Sequence, residues 1–589
     1  MIAGHIKVGH KPALDVSLLH SPLSLMRRRT VQYLVALSVL AFVVHIYFNR
    51  SAREWLSHFS PLEGGPRGHR PYPPPRQKDS PSLPADAPKR DSIIEAFKHA
   101  WGAYERDAMG YDEYHPISHR GSNLGAGGGI GYTVVDAIDT MLLMGLDGEY
   151  TRARAWVQDS LSFNRTGLFS TFETTIRVLG GLLSAYHLSG DEIYLRHASD
   201  LGERMLPAFD SAAGPGLPAP FMSLSGPQGQ ARSHISLAEA GTLQLEFRYL
   251  AQLTGHAPFW HKAERVIQII NQARLHNGLV PVEMDVHTGK FLRSPIGMGS
   301  NGDSYYEYLL KQYLQTNRTE PVYLQMYSDA MQGVHDLVVQ RTPTHNLTYM
   351  AELHPGGRGD EWATSWLVGS KQEHLACFLA GSLMLGATTV HLEPGVARAS
   401  VPPNMEELTV TGQRDWQTGV DFLEGCMATH NTKTGLAPDG VFFRRPGESQ
   451  ADPLDDGRDW YIRNANPAFP PYEARYMLRP EISESVFLAW RLTGDERYRR
   501  YAWAIFSAIE SHCRLPEGDG YATVLDVDTL PVKHEDKQET FFLSETLKYL
   551  FLTFADGGVL NLRDIVFNTE AHPLPVFRPS ITPLFTKYS

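Results

Sequence analysis

The chain has 589 residues, 42% of them hydrophobic and 11% aromatic, so its length sets no limit on a large buried core. Its formal net charge is −11 and its basic residues form no long run, which argues against a nucleic-acid partner, because phosphate binding needs clustered Lys and Arg. Sugars and other neutral ligands fit this balance better.

The first strong element is the apolar run "TVQYLVALSVLAFVVHIYF" at 30–48, preceded by Arg27, Arg28 and Arg29. It is long enough to cross a bilayer, and its basic flank keeps residues 1–29 in the cytosol. A cleavable signal peptide is the rival, but the leader before the run is too long and no A-x-A site follows. Residues 49–90, including "PLEGGPRGHRPYPPPRQKDSPSLPADAPKR", have too little apolar content to pack and read as an extended luminal stem. The expectation is a single-pass type II membrane protein, with residues 91–589 as a folded domain in the secretory lumen. Sequons stand at Asn164, Asn317 and Asn346; a further one at Asn49 abuts the membrane. The three cysteines, Cys377, Cys426 and Cys513, allow at most one bridge, and their order does not choose the pair. The absence of C-x-x-C removes a zinc or thioredoxin-like reading.

From Asp91 onward apolar residues recur at helical spacing, as in "SIIEAFKHAWGAYERDA" and "SETLKYLFLTFA". A phrase repeats: "LLMGLDGEYTRARAW" (142–156), "AYHLSGDEIYLRHA" (185–198), "LAQLTGHAPFWHKA" (250–263) and "AWRLTGDERYRRYA" (489–502). Each predicts a helix that ends at a glycine turn and is followed by another helix. Such helix pairs need neighbours to bury their apolar faces, so they stack into a solenoid or close into a toroid.

Several carboxylates sit in apolar or aromatic context: Glu173 in "FETTIR", Asp303 and Glu307 in "GDSYYEYLL", and Glu481 and Glu484 in "RPEISESVF". Burying a carboxylate costs several kcal/mol unless it is paired or metal-bound. Any one of these could be a helix ion pair or a cap. Together they suit glycoside hydrolysis, which needs an acid for the leaving oxygen and a base for water, converging from separate segments. Phe172, Tyr305 and Tyr306 beside them could stack on sugars, although core packing is the commoner use of such residues.

The ordered segments "GGIGYTVVDAIDTMLLMGL" (128–146), "FETTIRVLGGLLSAY" (172–186), "NGDSYYEYLLKQYL" (301–314), "HLACFLAG" (374–381), "RPEISES" (479–485), "ETLKYLFLTF" (545–554) and "NTEAHP" (568–573) resemble the signatures of the class I α-mannosidases, glycoside hydrolase family 47. The match runs from about Trp101 to Pro573. The resemblance implies an all-α (α/α)7 barrel and a monomer. It also implies calcium-dependent, inverting removal of α1,2-linked mannose from high-mannose N-glycans in the secretory pathway. Carried over by position, Glu173 resembles the general acid and Glu481 the general base, with Asp303 a third essential carboxylate; either Glu173 or Asp303 could pass the proton. Thr569 matches the calcium ligand. Glu239, Glu246, Glu484, Glu545 and Glu570 match acids that line the pocket, Arg177 and Arg479 match its substrate-contacting cations, and His374 matches a site histidine. Cys377 and Cys426 match the family disulfide, which leaves Cys513 as the free thiol.

Two positions depart from the family pattern. Endoplasmic-reticulum members carry Arg where this chain has Asn301, which predicts less restricted trimming of the glycan branches. Asp439 stands where Glu is usual, which predicts a weaker sugar contact. The rival functions are a glycan-recognition protein with little activity, and a barrel acting on another linkage. The intact acid, base and threonine positions oppose the first, and the ordered motifs oppose the second.

Overall fold

A computed structural model of the chain describes residues 83–587, apart from 211–213, 227–228, 231, 276, 358–362, 448–456 and 467. The expected cytosolic tail, the span at 30–48, the Asn49 sequon and the stem as far as residue 82 therefore lie outside the described residues. No helix among the described residues is long and apolar enough to cross a membrane.

Fourteen helices of eight or more residues carry the described fold. In chain order they are α1 (Ala87–Ala108), α2 (Tyr132–Met144), α3 (Asp147–Asp159), α4 (Gly180–Ser189), α5 (Glu192–Met205), α6 (Gln244–Thr254) and α7 (Ala257–Ala273). The series continues with α8 (Asp303–Gln315), α9 (Pro321–Gly333), α10 (Phe378–Thr389), α11 (Val410–Ala428), α12 (Glu481–Thr493), α13 (Glu496–His512) and α14 (Leu547–Phe554).

The four repeated phrases form the turns they predict. Helices α2, α4, α6 and α12 stop at Gly145, Gly190, Gly255 and Gly494, with φ of 69°, 68°, 71° and 66°. A left-handed residue here ends the helix without the Cβ clash that other residues would meet. The first helix starts at Ala87, four residues before the expected domain boundary. Asp86 caps it, accepting the Lys89 amide, and Asp86 N donates to Phe554 O at 2.9 Å, so residues 83–90 pack with the folded domain.

The even-numbered helices form a continuous series of neighbours. Helix α2 packs on α4, α4 on α6, α6 on α8, α8 on α10, α10 on α12 and α12 on α14, and the turn leading into α14 packs back on α2. Each is backed by an odd-numbered helix: α1 against α14, α3 against α2, and so on to α13 against α12. Most residues of the inner members are buried. In α10, "FLAGSLMLGATT", ten of the twelve residues are buried, as expected for a helix with neighbours on every side.

The expectation of an all-α chain needs one correction: the described residues also hold seven small antiparallel sheets of two or three strands. Their strands lie in the long connections from an odd helix to the next even one, as far as α12, and after α14. Backbone groups in such long connections must find partners, and short hairpins supply them. The last hairpin, Ile565–Phe567 with Pro573–Pro575, carries the Asn568–His572 turn.

Candidate active site

Most of the sequence-predicted acids sit at or just before the N-terminal ends of even-numbered helices. Asp303 and Glu481 are the first residues of α8 and α12, and Glu246 and Glu484 lie in the first turns of α6 and α12. Partial positive charge at a helix N-terminus makes this the favoured end for carboxylates.

Glu173 closes a short turn, Thr171–Glu173, capped by Ser170, whose Oγ accepts the Glu173 amide at 3.2 Å. A π-helical turn, Thr174–Leu179, follows and leads into α4. Turns of this kind add a residue to the helix and often mark functional sites. Here the turn carries Arg177, whose Nε donates to Glu173 Oε2 at 2.8 Å, while Tyr132 Oη donates to the same oxygen at 3.1 Å. Arg177 Nη1 also donates to Thr540 Oγ1 at 2.8 Å and forms an ion pair with Glu570. Burial pushes the Glu570 carboxyl well above the usual range, against the pull of Arg177.

Asp303 accepts the Ser304 amide at 2.7 Å, and burial pushes it up to about 7, with Glu307 and Glu481 adding repulsion. Burial also pushes Glu481 up to about 7, opposed by the cation of Arg479. Among the described residues, Glu481 Oε2 is buried without a hydrogen-bond partner, and His374 Nε2 lies 3.7 Å from it. Burial depresses His374 well below its ordinary value, so it stands there as a neutral imidazole. One turn along α12, Glu484 is pushed up to about 8 by burial and lies 3.5 Å from Lys311, which also pairs with Glu307. Glu545 sits in a second π-helical turn, Phe542–Thr546, before α14. Burial raises it well above the usual carboxylate range, and Glu570, Glu481 and Glu484 add to the rise, so it couples the Arg177–Glu570 pair to the Arg479–Glu481–Glu484 group. Phe541 links them physically: the Arg177 and Arg479 guanidinium carbons lie 5.6 Å and 6.0 Å from its ring centre.

The Asn568–His572 turn enters this assembly from the last hairpin. Asn568 Nδ2 donates to Glu246 Oε1 at 2.7 Å and to Ile176 O at 2.8 Å. The Thr569 amide donates to Tyr308 Oη at 3.3 Å, and Tyr308 Oη in turn donates to Glu246 Oε1 at 2.7 Å. His572 is buried between Asp136 Oδ1 at 3.0 Å and Asp139 Oδ2 at 2.8 Å, and Lys548 Nζ approaches Asp139 Oδ1 at 2.9 Å. Thr569 is half-buried. No cluster of three His, Cys, Asp or Glu groups arranged to hold a metal is present among the described residues. A calcium ion does not need such a cage. It accepts neutral hydroxyl and carbonyl oxygens and keeps waters, which acids can then hold. The oxygen donors of Thr569 and the unpartnered, buried Glu246 Oε2 fit that kind of site.

Among the described residues, Glu239 and Asn301 have no hydrogen bond to the other acids. The Glu239 carboxylate accepts the Ser236 amide at 2.9 Å, and its own amide donates to Ser236 Oγ, a reciprocal cap on the short helix Leu237–Gly241. Asn301 is exposed, with φ of 71°, and its carbonyl accepts the Ala238 amide, so the two positions flank the approach to Asp303. Asp439 accepts Arg479 Nε at 2.5 Å, which makes it the partner of an arginine two residues before Glu481. Cys377 and Cys426 form a disulfide, and Cys513 is a buried free thiol. Tyr132, Asp136, Asp139, Tyr308, Lys311, Phe541, Lys548 and Asn568 were not singled out from sequence. For Asp136 and Asp139 a signal existed: two acids three apart inside the apolar run "VVDAIDTML".

Residues 96–576 match the family described as Glycosyl hydrolase family 47. The chain is 39% identical over 522 residues to a mannosyl-oligosaccharide 1,2-alpha-mannosidase of Arabidopsis thaliana, covering 84% of this chain and 80% of that one. It is 36% identical to the endoplasmic reticulum mannosyl-oligosaccharide 1,2-alpha-mannosidase of Schizosaccharomyces pombe, over 94% of this chain and 98% of the relative. Among solved structures, an alpha-1,2-mannosidase from Trichoderma reesei superposes with a TM-score of 0.72 at 25% identity, covering 84% of this chain and all of that one.

Proposed function

The chain belongs to glycosyl hydrolase family 47 and is a glycosidase, and on that premise we propose that it removes terminal α1,2-linked mannose from high-mannose N-glycans by calcium-dependent, inverting hydrolysis. The observation that carries the proposal is the convergence of Glu173, Asp303 and Glu481 from three separate helix ends onto one buried group of acids held by Arg177 and Arg479. The helix series that closes on itself supports an (α/α)7 barrel with the site at one end.

In this reading Glu481 is the base. Its unpartnered Oε2 takes a proton from the attacking water, and the neighbouring Arg479 favours its ionised form. The leaving oxygen needs a proton, and Asp303, pushed up to about 7, holds one near neutrality; Glu173, fixed by Arg177 and Tyr132, is the other candidate donor. Inversion requires the acid and base about 6.5–9.5 Å apart, with room for water between them. Thr569 would hold calcium, with Glu246, Glu545 and Glu570 positioned to bind its waters or the sugar. When bound, the ion would polarise the attacking water and clamp neighbouring sugar hydroxyls. Glu484, Glu239 and His374 complete the sugar pocket in this reading. The Arg479–Asp439 pair gives the shorter acid a part in orienting the arginine. Asn301 at the rim supports less restricted branch trimming.

The relatives named for the endoplasmic reticulum support a secretory location; in this reading residues 30–48 are a type II anchor and the catalytic domain is a monomer in the lumen of the endoplasmic reticulum or Golgi. A time course on a labelled nine-mannose glycan, with and without a calcium chelator, tests the activity. Mannose release that stops on chelation and in Glu481→Gln is expected. Unchanged release by Glu481→Gln would remove the base assignment, and a clean stop at one eight-mannose isomer would contradict the Asn301 reading.

A further inference from the structure

The segment "FPPYEAR", residues 469–475, leads within four more residues to Arg479. Two of its aromatic side chains face water to an unusual degree: Phe469 is 82% exposed and Tyr472 is 54% exposed. Large exposed aromatics forgo the burial that would otherwise stabilise them, so a pair on one short segment calls for an occupant.

The backbone sets their spacing. Proline fixes φ near −65° and pushes the residue before it into extended conformation, and Pro471 has φ −65° and ψ 160°. Two successive prolines keep the chain extended at ~3 Å per residue, so they hold the two rings at most ~9 Å apart along it, where Tyr472 opens the short 3-10 turn Tyr472–Ala474. Phe469 and Tyr472 are three apart.

The segment is also held in place. Arg475 O accepts the Asp439 amide at 2.7 Å, Ala474 O accepts Val527 N at 3.0 Å, and Tyr476 N and O both bond Val524. The Arg475 guanidinium carbon lies 4.8 Å from the Tyr472 ring centre, and Arg475 itself pairs with Glu535 at 2.9 Å. Tyr472 Oη donates to Met477 Sδ at 3.3 Å, and Asp439 and Arg479 lie within electrostatic reach of that hydroxyl. The Tyr472 ring thus stands fixed against Arg475, with Arg479, the arginine that flanks Glu481, within electrostatic reach of its hydroxyl.

Resting on the α-mannosidase reading above, we infer that Phe469 and Tyr472 form a stacking platform for mannose residues of the same oligosaccharide beyond the scissile bond. Neutral pyranose rings present flat C–H faces that pack on aromatic rings, while their hydroxyls reach the flanking Arg475, Arg479 and Asp439. A platform ~9 Å long would carry two sugars. An apolar polypeptide is the other chemistry an exposed phenyl ring could take. The arginines and carboxylates around the Tyr472 ring favour a hydroxyl-rich ligand.

The test compares Phe469→Ala, Tyr472→Phe and the double variant Phe469→Ala with Tyr472→Ala. Affinity for a free nine-mannose oligosaccharide, measured by calorimetry on Glu481→Gln protein, should fall about fivefold in Phe469→Ala and further in the double variant, while Tyr472→Phe keeps its ring and its affinity. With the catalytically intact protein, the ratio of kcat/KM on that oligosaccharide to kcat/KM on an α1,2-linked dimannoside should fall by a similar factor, through KM. An unchanged affinity, an equal loss on both substrates, or a loss seen only when the glycan is attached to unfolded polypeptide would each overturn the platform. Failure of the unaltered protein to release mannose from either substrate would refute the α-mannosidase reading instead, and the calorimetric comparison would still decide the platform.

Discussion

Arg177 donates from Nε to Glu173 Oε2 at 2.8 Å, one helical turn away, and the other end of the same guanidinium pairs with Glu570, 393 residues on. One cation therefore fixes a candidate proton donor and neutralises an acid of the terminal hairpin. Replacing it with a similarly shaped neutral side chain, Arg177→Met, would leave Glu570 buried and uncompensated. We expect a loss of about 3 kcal/mol in stability, read by denaturant unfolding, together with loss of mannose release. Unfolding at the parental denaturant midpoint would show that the ion pair holds nothing together.

Glu481 and Arg479 determine the expected pH profile. As a base Glu481 must be ionised, so kcat/KM should fall as pH drops below about 7. Because Arg479 favours the ionised form, Arg479→Met should move that acid limb to higher pH as well as lowering the plateau. A limb that stays in place would detach Arg479 from the titrating group.

Stability should show the opposite trend in metal-free protein. Burial raises Asp303 from 3.8 and Glu481 from 4.5, each to about 7. Between these values the folded state holds protons that the unfolded state has lost, so the contribution of these two acids to stability is fullest below about 4 and declines as pH rises toward about 7. Denaturant titrations in chelator from pH 4 to 8 would detect this, and a rise over that range would mean that other groups dominate.

Thr569 is the residue on which the calcium proposal rests. Added calcium should raise the unfolding free energy of the chelator-treated protein, by about 2.7 kcal/mol at a hundredfold excess over Kd. Thr569→Val removes the hydroxyl at nearly constant volume and should abolish most of that gain without lowering metal-free stability. An equal calcium response in both proteins would place the ion elsewhere.

The Cys377–Cys426 bridge closes a loop of 49 residues. Cys426→Ala should lower stability by about 2–4 kcal/mol on the chain-entropy view. A thiol reagent should find no reactive cysteine in the folded protein, one after denaturation, and three after denaturation with reduction, because Cys513 is buried.

Local chemistry explains what could be read from the chain alone. Gly145, Gly190, Gly255 and Gly494 end their helices because left-handed backbone is a property of one residue, and Arg479, Glu481 and Glu484 share a helix start because they are neighbours. The pairing of Cys377 with Cys426 came from resemblance, since spacing alone left three cysteines equivalent. The His572 network was not legible, because nothing near His572 in the chain indicates that Asp136 and Asp139, more than 400 residues earlier, bracket its ring. The exposed Phe469 was equally silent, since a phenylalanine in a loop is read as buried until its surroundings are known.

The sequence by itself determined where helices begin and end, which acids fall at their first turns, and to which family the ordered motifs point, since all of these depend on residues close together in the chain. Tertiary structure alone decided which charges meet. Glu246 meets Asn568, Arg177 meets Glu570 and Asp139 meets both Lys548 and His572 only because packing brings the terminal hairpin against helices hundreds of residues away. Buried charges tolerate one another only in such matched sets, and the matching lies in three-dimensional distance, which chain order does not record.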